Sequence, residues 1–176
     1  DWARSAGGRA AITGRRARNL NPIILVDGSE RRIVPAWWWL WGDDGGPLPY
    51  SAFNSRDDRL LHSWLAPLQR RAILPATWYV EKGRRFELPG AEPFGIAAIT
   101  RTVAAEDGER LVTYSMVTRS AVGAATEASD RMPLVLPKAV HDEWLDPHRR
   151  GDAALVARIR AASESVSHTL IRVDPM

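Results

Sequence analysis

At 176 residues, with 45% hydrophobic and 26% charged residues, the chain is sized and composed for one globular domain rather than a disordered or fibrous one. The absence of cysteine excludes disulfides, thiolate metal sites and thiol chemistry within these residues. The net charge is +3, and 22 of the 24 basic residues are Arg, so an anionic partner is one reading and an Arg-rich composition the other. Residues 1–32 alone carry seven Arg against Asp1, Asp27 and Glu30. No apolar run approaches the ~20 residues needed to cross a bilayer. Asp1 to Ala10 has arginines but no apolar core of a leader, so a soluble, cytoplasmic chain without a membrane partner is expected.

In chain order, Ile23 to Val26 and Arg31 to Pro35 predict a hairpin turning at Asp27 to Ser29. Ala36 to Trp41 follows as a strongly apolar strand entering the Gly-rich loop 42–47. Leu60, Leu61, Trp64, Leu65 and Leu68 recur at helical spacing and predict a helix over 55–68. Ala72 to Glu81, Phe94 to Thr102 and Arg110 to Arg119 read as central strands, the last two joined by a polar turn at Glu106 to Glu109. Ala121 to Ala128 reads as helix or loop, Lys138 to Leu145 and Ala153 to Ser165 as helices, and Ser167 to Val173 as a closing strand. No 20–50-residue period is present, which excludes solenoids and propellers. This order lacks regular βαβ alternation and predicts a single compact α+β domain over 1–176, with a mainly antiparallel or mixed twisted sheet and short flanking helices.

Standard catalytic signatures are scarce. No phosphate-binding glycine loop or Gly-x-Ser-x-Gly elbow occurs, and His62, His141, His148 and His168 lack metal-site spacing, so neither a cofactor nor a metal is expected. The run Trp37, Trp38, Trp39 and Trp41 stands out. In a strand, Trp37, Trp39 and Trp41 would share one face, opposite Trp38 and Leu40. Either both faces are buried, or one is a stacking platform for unpaired bases with Arg31, Arg32 and Arg56 supplying phosphate contacts. Glu81, ending an apolar strand before Lys82-Gly83-Arg84-Arg85, is either a partly desolvated general acid or base, or a salt-bridge partner of Arg84 or Arg85. Asn54 sits at a strand end and is also an N-cap candidate. Ser129 and Asp130 precede Arg131, Met132 and Pro133 in a turn.

Four segments in register resemble the SOS response-associated peptidase (SRAP) domain family. They are Arg18-Asn19-Leu20-Asn21-Pro22, Phe53-Asn54-Ser55-Arg56, Arg70 through Glu81 and Ala128 through Leu136, and the likeness covers about residues 15 to 146. The resemblance implies a protein that binds single-stranded or abasic-site DNA in the SOS and DNA-damage response. It implies that Asn54 positions the chain's N-terminus, that Glu81 moves protons, that Arg56 meets phosphate and that the Trp37 to Trp41 segment supports splayed bases. In the family, an N-terminal cysteine attacks the abasic aldehyde with its α-amine and closes a thiazolidine with its thiol.

Two departures bear on activity. The sequence opens Asp1-Trp2-Ala3-Arg4 where the family has Cys-Gly-Arg, and Ser129 stands in place of the family histidine. Serine cannot hold a proton near neutrality as imidazole does. The expectation is a binding protein inactive in the crosslink as written, either divergent or lacking a native Met-Cys start. A protein-interaction module using the Trp-rich surface is the alternative, and a hydrolase using Glu81 with Ser129 lacks a base and nucleophile pairing.

Overall fold

The computed structural model describes residues 2–104 and 108–173. A short helix, α1 (Trp2–Ser5), precedes β1 (Leu20–Asp27) and β2 (Glu30–Trp37). These two form the predicted hairpin, longer at both ends, in antiparallel register from Asp27↔Glu30 to Leu20↔Trp37. Gly28 supplies the positive φ its tight turn requires. Next come β3 (Asn54–Arg56), α2 (Leu60–Ser63), β4 (Arg71–Ala76), β5 (Trp78–Glu81), β6 (Arg84–Glu87), β7 (Phe94–Ala104) and β8 (Arg110–Ser120). The chain finishes with β9 (Arg131–Pro133), β10 (Val135–Leu136), α3 (His141–Leu145), α4 (Ala153–His168) and β11 (Ile171–Val173).

The large mixed sheet runs β10-β7-β4-β1-β2-β8-β3, and β7 also pairs with β8. That extra pairing closes β7-β4-β1-β2-β8 into a ring, which removes the open edges of its five strands. β2 and β3 run parallel to β8, and the other pairs of the sheet are antiparallel. Alternation sorts side chains to the two faces. Ile23, Ala36, Ala72, Leu74, Ile96, Ala98, Tyr114 and Met116 fill one buried cluster inside the ring. Ile73, Ala97, Ile99 and Val117 point outward and are covered by Trp144, Leu145, Leu155, Val156 and Ile159 of α3 and α4. Asp152 caps α4 by accepting from the Leu155 amide at 2.9 Å.

Several expectations need correction. The helix expected over 55–68 is a 3₁₀ turn at 57–59, a four-residue α2 and a second 3₁₀ turn at 67–69 that begins on Pro67. The expected strand 72–81 is two strands in different sheets, because β5 leaves the barrel to join β6 and β11. The closing strand is only β11, since α4 continues through His168. Half of the turn expected at 106–109, residues 106 and 107, lies outside the described residues.

Candidate functional site

One end of the barrel gathers the segments that carry Asn54, Arg56, Glu81 and Ser129. Asn54 pairs in register with Met116 and Arg56 with Thr118, so β3 lies along β8 where β8 passes beyond the ring. Glu81 ends β5, and a two-residue turn at Lys82 and Gly83 makes Arg84 its register partner. The Arg84 guanidinium donates to the Glu127 carbonyl, two residues before Ser129. Asp130, just after Ser129, lies within the electrostatic reach of Arg56. The loop 127–130 therefore bridges the hairpin bearing Glu81 and the strand bearing Asn54. Phe53 and Ala128 pack against the apolar cluster that contains Tyr79.

Asn54 is half-buried, and its Oδ1 is buried with no hydrogen-bond partner among the described residues. It does not cap a helix: the 3₁₀ turn after it is capped by no side chain. Asn54 lines a shallow cleft of about 370 Å³ together with Tyr50, Arg56, Arg59, Ser63 and Trp64. Tyr50 and Trp64 stand with ring centroids 6.2 Å apart at its side. Arg56 forks onto Asp58, donating from Nε at 2.9 Å and from Nη2 at 2.7 Å. This pair raises the Arg56 pKa and lowers that of Asp58 to about 2. Sequence reasoning passed over Arg59 and Trp64, although Arg59 follows Arg56 at a 3₁₀ spacing that places both on one side of the chain.

Glu81 is half-buried, and no described residue forms an ion pair with it. Arg85 is drawn instead to Glu87 at 2.7 Å, and Arg84 to Glu127. Alternation puts Glu81 on the same face of β5 as Tyr79. Burial, and then the Glu81 charge, push the Tyr79 hydroxyl pKa upward. Ser129 is held by its own turn, its Oγ accepting from the Arg131 amide at 3.3 Å. The adjoining Arg131 donates to the buried Asp57 carboxylate at 2.9 Å and to the Thr118 carbonyl at 2.6 Å.

The tryptophan run is not an open platform. Trp37, Trp38 and Trp39 are each less than 10% exposed. Trp38 stacks on Tyr114 and donates to the Phe53 carbonyl at 2.8 Å, and Trp39 donates to the Leu48 carbonyl at 2.9 Å. Trp37 and Trp39 pack in a cluster outside the ring with half-buried Trp41 against them, opposite Trp38, as alternation predicts, but Leu40 joins them because the chain leaves the strand after Trp37. With both faces buried, this run offers neither bases nor a protein partner an exposed Trp surface. Arg31 and Arg32 also fall elsewhere. They sit at the tip of the β1–β2 hairpin, roughly 20 Å along β2 from Trp37, where Arg31 pairs with Asp142 and Arg32 with Asp27 and Glu30. Among the described residues no group of three or more His, Asp or Glu is placed to hold a metal, and no helix is long and apolar enough to cross a membrane.

A family model described as SOS response associated peptidase (SRAP) matches residues 15–175. The Abasic site processing protein YoqW of Bacillus subtilis (strain 168) is 28% identical over 139 residues, covering 70% of this chain and 62% of YoqW. The Abasic site processing protein YoaM of the same organism is 27% identical over 139 residues, covering 70% of this chain and 61% of YoaM. The chain thus spans less than two thirds of the length of these relatives. A solved structure of a protein from Bordetella bronchiseptica superposes with a TM-score of 0.67 at 18% identity, covering 90% of this chain and 85% of that one. One from Bacteroides thetaiotaomicron gives 0.65 at 20% identity, covering 88% and 72%. These last two establish a shared fold. With the family's model matched from Arg15 to Pro175, the chain belongs to the SOS response associated peptidase (SRAP) family.

Proposed function

We propose that this chain recognises abasic sites in single-stranded DNA, using the cleft over Asn54. The observation that carries this reading is the cleft that Asn54 lines together with two arginines, Arg56 and Arg59, and two aromatic rings, Tyr50 and Trp64. Arg56 and Arg59 supply phosphate contacts, and Tyr50 with Trp64 takes the stacking role that the buried run at Trp37 to Trp41 does not offer. Glu81, without an ion pair among the described residues, is the group available to exchange a proton with an opened sugar. The names of the curated relatives, abasic site processing proteins, support the same substrate, and the family's description supports a place in the response to DNA damage.

The 176 residues contain no thiol, so the reading proposed for them is non-covalent recognition. Ser129 contributes a hydroxyl hydrogen bond and not a proton store. The test is fluorescence anisotropy with a single-stranded oligonucleotide carrying one abasic site, across a salt series. Affinity is expected to fall steeply with salt, Arg56→Ala to reduce the salt slope by about one, and Arg31→Ala at the far hairpin tip to change nothing. Binding indifferent to salt, or weakened by Arg31→Ala and not by Arg56→Ala, would reject the cleft as the interface. A heat-stable adduct on a denaturing gel would reject the non-covalent assignment.

A further inference from the structure

The opposite end of the barrel holds a second cavity of about 290 Å³. Its floor is apolar, formed by Leu25, Val34 and Val112, whose side chains continue the alternation that fills the interior. The same alternation brings Thr100, Thr102 and Arg110 to the mouth, and Arg70 joins them from the start of β4. Arg110 and Met116, the register partner of Asn54, are six residues apart on β8, roughly 20 Å, so this mouth is not the cleft over Asn54.

One wall is built and rigid. Arg71 spends its guanidinium on the carbonyls of Leu68, Trp144, Asp146 and Arg149, at 2.6–2.9 Å, and Gln69 both donates to and accepts from Gly151. These bonds fix the segment that sets Leu145 and Pro147 beside the cavity. Arg70 and Arg110, by contrast, have no carboxylate partner among the described residues, and the one lining carboxylate, Asp27, is shared with Arg32 at 3.6 Å. An apolar floor, the Thr102 hydroxyl and a doubly cationic rim make a site with three kinds of wall, while the buried Thr100 hydroxyl donates to the Arg70 carbonyl at 3.0 Å.

We propose that this mouth is a second binding site, for a small phosphorylated molecule with a flat, partly apolar body, independent of DNA recognition at the other end. Arg70 and Arg110 clasp the phosphate and the floor takes the body. The probe is AMP, titrated calorimetrically at low salt, with adenosine and inorganic phosphate as separate arms. Wild type is expected to bind AMP saturably and more tightly than either fragment. Arg70→Ala/Arg110→Ala should weaken AMP at least about tenfold, as loss of charge-assisted bonds does, and Thr102→Phe should block the cavity. Both variants should keep the wild-type melting temperature and oligonucleotide affinity, and Arg56→Ala should bind AMP normally. No saturable AMP binding at millimolar concentrations, equal affinity for adenosine or for inorganic phosphate, or AMP binding undisturbed in the double-arginine variant would each overturn the proposal. Oligonucleotide affinity measured on the same preparations separates such a failure from failure at the Asn54 cleft.

Discussion

Arg131 donates to the carboxylate of Asp57, 74 residues away in sequence, at 2.9 Å, and Arg160 closes on the other oxygen at 2.8 Å. Asp57 is only 4% exposed, so its charge is supported almost wholly by these two guanidiniums. Through them, β9, α4 and the 3₁₀ turn that follows β3 are tied at one point, next to the loop that carries Ser129. Asp57→Asn leaves a partly buried Arg131 without its counter-charge. Because Arg160 can turn to solvent, the expected loss is about 3 kcal/mol, the low end for breaking a buried pair. A urea midpoint shifted by less than a surface substitution would shift it speaks against this role.

Asp58 offers a pH test. Its pKa is held at about 2 by the Arg56 side-chain hydrogen bond, against an ordinary 3.8. A depressed carboxyl pKa gives stability that is present above about pH 4 and lost as the pH falls toward 2. Asp58 is 43% exposed, so screening limits the effect to less than about 1 kcal/mol. A carboxyl titration by NMR should show a midpoint near 2 that moves up toward the ordinary value in Arg56→Ala.

The same pair restrains the cleft. Asp58 occupies the guanidinium face that a phosphate needs, so Asp58→Asn should strengthen binding to a single-stranded oligonucleotide by about two- to fivefold, the span of an exposed ion pair. Anisotropy at moderate salt reads it, and unchanged or weaker binding counts against Arg56 as a phosphate contact.

Trp38 tests whether the tryptophan run is core. It stacks on Tyr114 with ring centroids 5.8 Å apart and caps the Phe53 carbonyl. Trp38→Ala should cost about 3–5 kcal/mol in chemical unfolding, and Trp38→Phe less, because the Phe53 carbonyl keeps the Met116 amide. Normal stability with lost oligonucleotide binding would restore the platform reading.

How far the sequence carried these assignments depends on what kind of signal each element has. The hairpin 20–37, the long strands β7 and β8 and helix α4 have a period set by a buried face, and they are legible. β6 is not, because only Phe86 among its four residues is buried and its polar neighbours hide the alternation. The split at Thr77 is invisible for a related reason: apolar residues continue on both sides of it, and periodicity does not say which sheet a strand joins. At the site, Asn54, Arg56, Glu81 and Ser129 stand in segments that resemble family motifs, a signal independent of periodicity. Arg31 and Arg32 are indicated by charge and by nearness in sequence to the tryptophan run, and neither says which end of a closed barrel a residue occupies.

The turn behind Glu81 supplies the remaining test. Lys82 has φ +47° and Gly83 φ +77° in a two-residue loop between antiparallel partners Glu81 and Arg84, the pairing of left-handed conformations that a type I′ hairpin requires. Nothing lies within 4 Å of a Cβ built on Gly83, so a substitution there meets backbone strain and no clash. Gly83→Ala should therefore cost about 1 kcal/mol, while Lys82→Asn should be stabilising, because asparagine tolerates the left-handed region better than lysine. The turn also fixes the β5–β6 register, and a slip of one residue would turn Tyr79 and Glu81 together away from the face they now share. Amide exchange should accordingly quicken across 78–87 in Gly83→Ala and slow in Lys82→Asn, with the barrel strands unaffected. Equal exchange in both variants would mean that packing of Tyr79 and Phe86, and not the turn, sets where Glu81 points.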